Sequence, residues 1–337
     1  MMMMQATNRQ SGISIVEIMV GIALSLILLA GVMQIFLSNK QTYRVQEAFS
    51  RLQENGRYAM EFLSKDLRMA GFFGCASAID EPENLVDFDK NGTADTIAGF
   101  TGNGLSGFED TDLPLVLNST TNLTAADVLP NTDIIQIKRG TNTGLYIADP
   151  ALKNDGNIKL DPVLAAGMFA ENDVLFVTDC EAADIFAATG VGNGGGFTNI
   201  AHANDANLGP KLSKVYQRDA EVMKMVSHLY YLGTNSAGVP ALFRASLGNN
   251  GTIITEELVE GIEDLQLMYG EDTNDDGVVN VYVDSASVAD FTNVLNIRLT
   301  VTVRTIEDNI ASQITAAGDK RLRRTFTTSV TIRNRVI

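Results

Sequence analysis

The chain has 337 residues, enough for one large domain or two ordinary ones with a sizeable core. Its 45% hydrophobic content is ordinary and excludes a polytopic membrane protein. The net charge of −16 excludes non-specific binding to nucleic acid, which needs Lys and Arg to displace counterions.

The first segment, residues 1–12, is short and polar, with Arg9 as its one charge. An apolar run then extends from Ile13 to Leu37. It is longer than the ~20 residues a membrane helix needs. It is also longer than a secretory signal core, and no A-x-A-like cleavage site follows it. The basic flank places the leader in the cytoplasm and exports the rest. The run holds one charge, Glu17. An ionised group inside a membrane helix is costly and marks a functional position that needs a partner.

The hexapeptide Gly12-Ile13-Ser14-Ile15-Val16-Glu17 resembles the processing signal of type IV pilins and pseudopilins. The resemblance implies that a prepilin peptidase cuts between Gly12 and Ile13 and that the new N-terminal residue is methylated. It also implies that Glu17 is the fifth residue of the mature chain and serves filament assembly. The family usually has Phe or Met where this chain has Ile13. The chemistry agrees with the transfer: cleavage makes a cationic amine, and a carboxylate buried among apolar helices is tolerated when paired.

The helix is expected to continue past the membrane edge, because no proline occurs from Ile13 through Gly71. Val45, Phe49, Leu52, Ala59, Leu63, Leu67 and Ala70 recur at helical spacing, with charged residues on the other face. Gly71 is the expected C-cap. The helix would hold about 58 residues and measure roughly 87 Å. In place of a proline the apolar half offers Gly21 and Gly31, with any unwinding during assembly centred near Gly31. The segments Ser50-Arg51-Leu52-Gln53-Glu54-Asn55-Gly56-Arg57-Tyr58 and Asp66-Leu67-Arg68-Met69-Ala70-Gly71-Phe72-Phe73-Gly74-Cys75 are similar to the minor pilins of the PilW family. So are Leu258–Gln266 and the ending Thr331–Arg335.

From Phe72 onward a globular α+β head is expected, a pilin-like antiparallel sheet under the long helix. Residues 76–130 read as loop-rich. Strands are expected over 133–138, 173–178, 226–232, 241–245, 252–259, 262–269, 294–304 and 324–333. The glycine-rich stretch 190–197 reads as a flexible surface loop; it is no phosphate loop, since no Gly-Lys-Ser/Thr follows. The domain plan is therefore a leader at 1–12, a membrane or filament-core helix at 13–37, an amphipathic continuation at 38–71 and the head at 72–337.

The two cysteines, Cys75 and Cys180, would form one disulfide in an exported chain, worth about 4–5 kcal/mol in the chain-entropy model, and be buried thiols otherwise. The resemblance favours the bridge. Asp272, Asn274, Asp276, Val278 (through its carbonyl) and Asn280 have calcium-loop spacing, with Gly277 at the sharp turn. The twelfth position is Val283 instead of a bidentate Glu, and Asp284 is the expected substitute. Asp87, Asp89, Asn91 and Asp95 repeat the spacing, with Lys90 adding an opposing charge. An Asx-rich turn without an ion is the alternative for both. Calcium would pin a head loop and catalyse nothing; no other cofactor is expected.

His202 reads as a surface-loop residue and His228 as a sheet residue, and neither has a triad or metalloprotease context. No enzyme activity is expected. The resemblance implies a minor pilin that helps start pilus assembly near the tip, in twitching and adhesion. Its partners would be other minor pilins, the major pilin, the inner-membrane assembly platform, the prepilin peptidase, a large tip adhesin and the inner membrane itself. It would begin as a single-pass inner-membrane protein with a periplasmic head and end in the extracellular pilus. The alternatives are a type II secretion pseudopilin and a membrane-tethered periplasmic binding domain or enzyme.

Overall fold

The computed structural model describes residues 12–74, 82–95, 104–109, 127–141, 143–311 and 313–335. One helix, α1 (Ile15–Leu67), carries 53 of them at the N-terminal end. It runs without a break past Gly21 and Gly31 because nothing in that stretch removes a backbone donor. It ends at Leu67, four residues before the expected cap. A turn follows, and Gly71 takes the left-handed backbone (φ 72°), with its N–H donated to the Lys138 carbonyl.

The chain divides into two compact units, each described by itself. One takes the described residues up to Arg51 with Glu307–Leu322; the other takes Leu52–Ile306 with those from Arg323. In the first, every side chain from Ile13 to Leu37 is exposed, Leu28 at 71%. Exposed apolar surface of that extent needs lipid or other helices around it. Ala48 and Ile310 are buried, and segment 307–322 closes on itself where Ile310 and Ala311 donate to the Lys320 carbonyl. Phe49, expected on the buried face, is 41% exposed; Ala48 takes that role.

The second unit is α+β, with sheets that are antiparallel but for one two-residue parallel pair, β1 (Glu83–Asn84) with β6 (Ala183–Ala187). Its spine is the long strand β9 (Glu221–Thr234). One edge of β9 pairs with β3 (Ile134–Gly140); the other pairs first with β5 (Val174–Thr178) and then with β10 (Pro240–Leu247). The order β1-β6-β5-β9-β10-β11 is completed by β11 (Ile253–Glu260), and β2 (Leu105–Phe108) joins β3. A small sheet holds β4 (Ile158–Leu160), β8 (Phe197–Ala201) and β7 (Gly190–Gly194). Residues 190–197 are therefore not a flexible loop. They form most of a β-hairpin, and Gly195 and Gly196 both supply the positive φ its tight turn requires. Glycines hid the strand because they carry no side chain to show alternation.

The remaining sheet has the order β13-β12-β14-β15, from β12 (Ile262–Glu271), β13 (Val281–Val283), β14 (Val294–Arg304) and β15 (Arg323–Thr331). Leu295, Ile297, Leu299, Val301 and Val303 of β14 are buried, as their alternation predicts. On the opposite face Thr300 meets Thr327 and Thr302 meets Thr325. Within the loop-rich reading of 76–130, the described residues contain β1 and β2.

Candidate functional site

Gly12, Ile13 and Ser14 precede the helix without regular secondary structure, and α1 starts at Ile15. Ser14 accepts the Val16 N–H on its Oγ (3.3 Å), and Glu17 lies in the first helical turn. Ser14-x-x-Glu17 has the spacing of a capping box, a local role for Glu17 that the resemblance alone does not reveal. Ile13 is 72% exposed, and Gly12 and Glu17 are exposed as well. The expected cleavage position is therefore exposed on both sides.

The motif that resembled minor pilins is the seam joining the end of α1 to the head. Leu52, Ala59, Leu63 and Leu67 are buried on one helix face. Asn55 donates to the Glu260 carbonyl (3.0 Å), just before the tight turn at Gly261. Gly56 leaves room for Phe326 of β15; a Cβ there would overlap the ring. Asp66 is buried, with one oxygen accepting from the Tyr230 hydroxyl (2.6 Å) and meeting His228 Nδ1, while the other faces Arg139 at 3.3 Å. Burial works to raise its pKa, but the His228 hydrogen bond and charge, the Tyr230 hydroxyl and the Arg139 charge outweigh it and hold the carboxyl below its ordinary value. His228 is thus a sheet residue as expected, with a structural partner on the helix.

The two candidate metal loops share one conformation. In each, the first Asp accepts the N–H groups of positions five and six: Asp87 from Asn91 and Gly92, Asp272 from Asp276 and Gly277. Position four is left-handed (Lys90, φ 56°; Asp275, φ 59°), and so is the glycine at position six (Gly92, φ 81°; Gly277, φ 78°). Position five accepts from position seven in both, through Asn91 and Asp276. Position nine accepts from position two: Asp95 from Phe88 and Asn280 from Thr273. Lys90 therefore occupies the position that supplies no ligand in this spacing.

Asp87, Asp89 and Asp95 bring one oxygen each within 4.8 Å of one another. Burial, then the charges of Asp89 and Asp87, raise the Asp95 pKa against the Phe88 N–H bond. Burial also works to raise that of Asp272, but the N–H groups of Gly277, Asn274, Asp276 and Asp275 prevail and lower it. Asp284, the expected substitute at the twelfth position, has a local role as well. Its carboxylate caps the 3-10 turn Ser285–Ser287 by accepting the Ser287 N–H.

Cys180 carries no free thiol, and Cys75 lies outside the described residues. His202 is not a surface residue. It is 4% exposed, bonds the Gly156 carbonyl through Nε2 (2.9 Å) and packs edge-on against Phe186. Its burial comes from long-range packing that its polar sequence neighbours do not disclose.

Residues 229–334 match the family model described as Type IV Pilus-assembly protein W. No curated protein and no solved structure matches the chain. The matched segment runs from the second half of β9 through β15, and so contains the loop at 272–280 and the strand on which Gly56 packs. That stretch of the head is therefore similar to a type IV pilus-assembly family, and the N-terminal helix of the same chain is long and apolar enough to cross a membrane.

Proposed function

We propose that the chain is a minor pilin, processed between Gly12 and Ile13 and incorporated near the pilus tip with other minor pilins. The observation that carries this reading is the joint one. An exposed apolar helix opening on Gly12–Glu17 shares a chain with a segment matching a pilus-assembly family. The mature Ile13 amine and the Glu17 carboxylate of adjoining subunits would neutralise each other among packed helices and set register. The Cys75–Cys180 bridge and calcium in the loops at 87–95 and 272–280 belong to the same reading as devices that stiffen an exported head.

Glu17→Gln separates the two roles of this residue, because the amide keeps the capping geometry and removes the charge. The expected result is normal cleavage, seen by mass spectrometry of the N-terminus, with loss of the protein from sheared pili. Normal incorporation would refute the charge pairing. In the deletion strain, loss of pili and twitching is expected; intact pili with loss of secreted enzymes would assign the chain to a secretion filament instead.

A further inference from the structure

Four cations gather on the head around a single acidic side chain, Glu61, with which none of them is ion-paired. Arg57 and Lys65 lie on α1, Arg68 in the turn just after it, and Arg333 follows β15. They surround a groove of about 540 Å³ that also contains Glu61, Met60 and Met69. All four cations are exposed, and none makes an ion pair among the described residues. The whole chain has 41 acidic and 25 basic residues, so this concentration of unpaired positive charge runs against its composition.

We infer that this groove is a docking site for an acidic segment of a second polypeptide. An extended polyanion, such as a phospholipid surface or a nucleic-acid backbone, would meet a protein of net charge −16 around a narrow positive strip. A short peptide segment meets only the strip. Its pattern follows from the residues. Arg57 and Lys65 are eight residues apart on the helix, about 12 Å. Carboxylates on an extended chain cover that distance when they stand about three to four residues apart. Glu61 lies between the two cations and repels a third carboxylate there. Met60 and Met69 offer adaptable apolar surface to side chains in the gap. The fitting segment has an acidic residue, an apolar interval and a second acidic group facing Lys65, Arg68 and Arg333. That a neighbouring filament subunit presents this segment rests on the minor-pilin reading; the chemistry of the groove does not.

The test uses the full chain in neutral detergent and a fluorescein-labelled peptide of two acidic, three apolar and two acidic residues. Fluorescence anisotropy should show saturable binding that high salt suppresses. The R68E/R333E double variant should weaken it at least tenfold, and R68K/R333K should retain it. Both variants change exposed side chains, and circular dichroism checks that they fold. No saturable binding, or equal binding by the charge-reversed variant, would overturn the proposal. Displacement by glycerol phosphate at lower concentrations than unlabelled peptide would overturn it in favour of a lipid headgroup. If the peptide binds while the chain never enters pili, the groove stands and the minor-pilin reading falls.

Discussion

Replacing Asp133 by Asn probes a buried acid whose ionisation opposes folding. Asp133 is 5% exposed, accepts the Leu267 N–H from β12 at 2.6 Å, and lies beside Glu109, which accepts the Ser285 hydroxyl. Burial pushes its pKa up to about 7; the Leu267 N–H opposes this, while the contact and charge of Glu109 and the charge of Asp264 add to it. The folded protein therefore holds a proton that the unfolded chain releases near 3.8. The associated stability is fully present below the unfolded value and is lost as pH rises through about 7. A shift of this size corresponds to roughly 4 kcal/mol as a ceiling for the coupled pair, at ~1.4 kcal/mol per unit. Asn keeps an acceptor for Leu267 and gives Glu109 a donor without ionising. Thermal melts of wild type and variant at pH 3.5 and pH 8 should show little difference at pH 3.5, where folded and unfolded chains both hold the proton. At pH 8 the variant should be more stable by about 2–4 kcal/mol, read as a melting shift of several degrees. The variant-minus-wild-type difference isolates this site from every group common to both proteins. A difference that does not change between the two pH values would refute the reasoning.

Asp66→Asn should destabilise the head at pH 7 by about 3–5 kcal/mol, because Arg139 and the groups of β9 lose a buried charged acceptor. In wild type the stability due to Asp66 is present above pH 4 and should fade as pH drops below the ordinary Asp value, which an acid titration followed by circular dichroism would show. Gly56→Ala gains about 1 kcal/mol of helix propensity but must displace the Phe326 ring, so a net loss of about 1–2 kcal/mol is expected in denaturant melts. Stripping calcium with a chelator should lower the melting temperature, and Asp87→Asn with Asp272→Asn should abolish that dependence. A melting temperature indifferent to chelator, with no metal found by elemental analysis, would remove calcium from the account.

Local signals were legible without coordinates. The apolar run, the unbroken helix and the alternation in β14 depend on neighbours one to four positions away, and their physical causes lie within the segment. The metal-loop spacing was equally readable, since Asx turns and left-handed glycine are short-range features. Tertiary structure decided what depends on residues distant in the chain. It turned the glycine-rich stretch into a hairpin, buried His202 under Phe186 and made Asp284 a cap. It also joined Asp66 to His228 and Tyr230, 162 and 164 positions away, and assembled the cationic groove from helix and C-terminal residues. Periodicity reports which face of an element is apolar; only packing determines which distant charge, ring or carbonyl that face will meet.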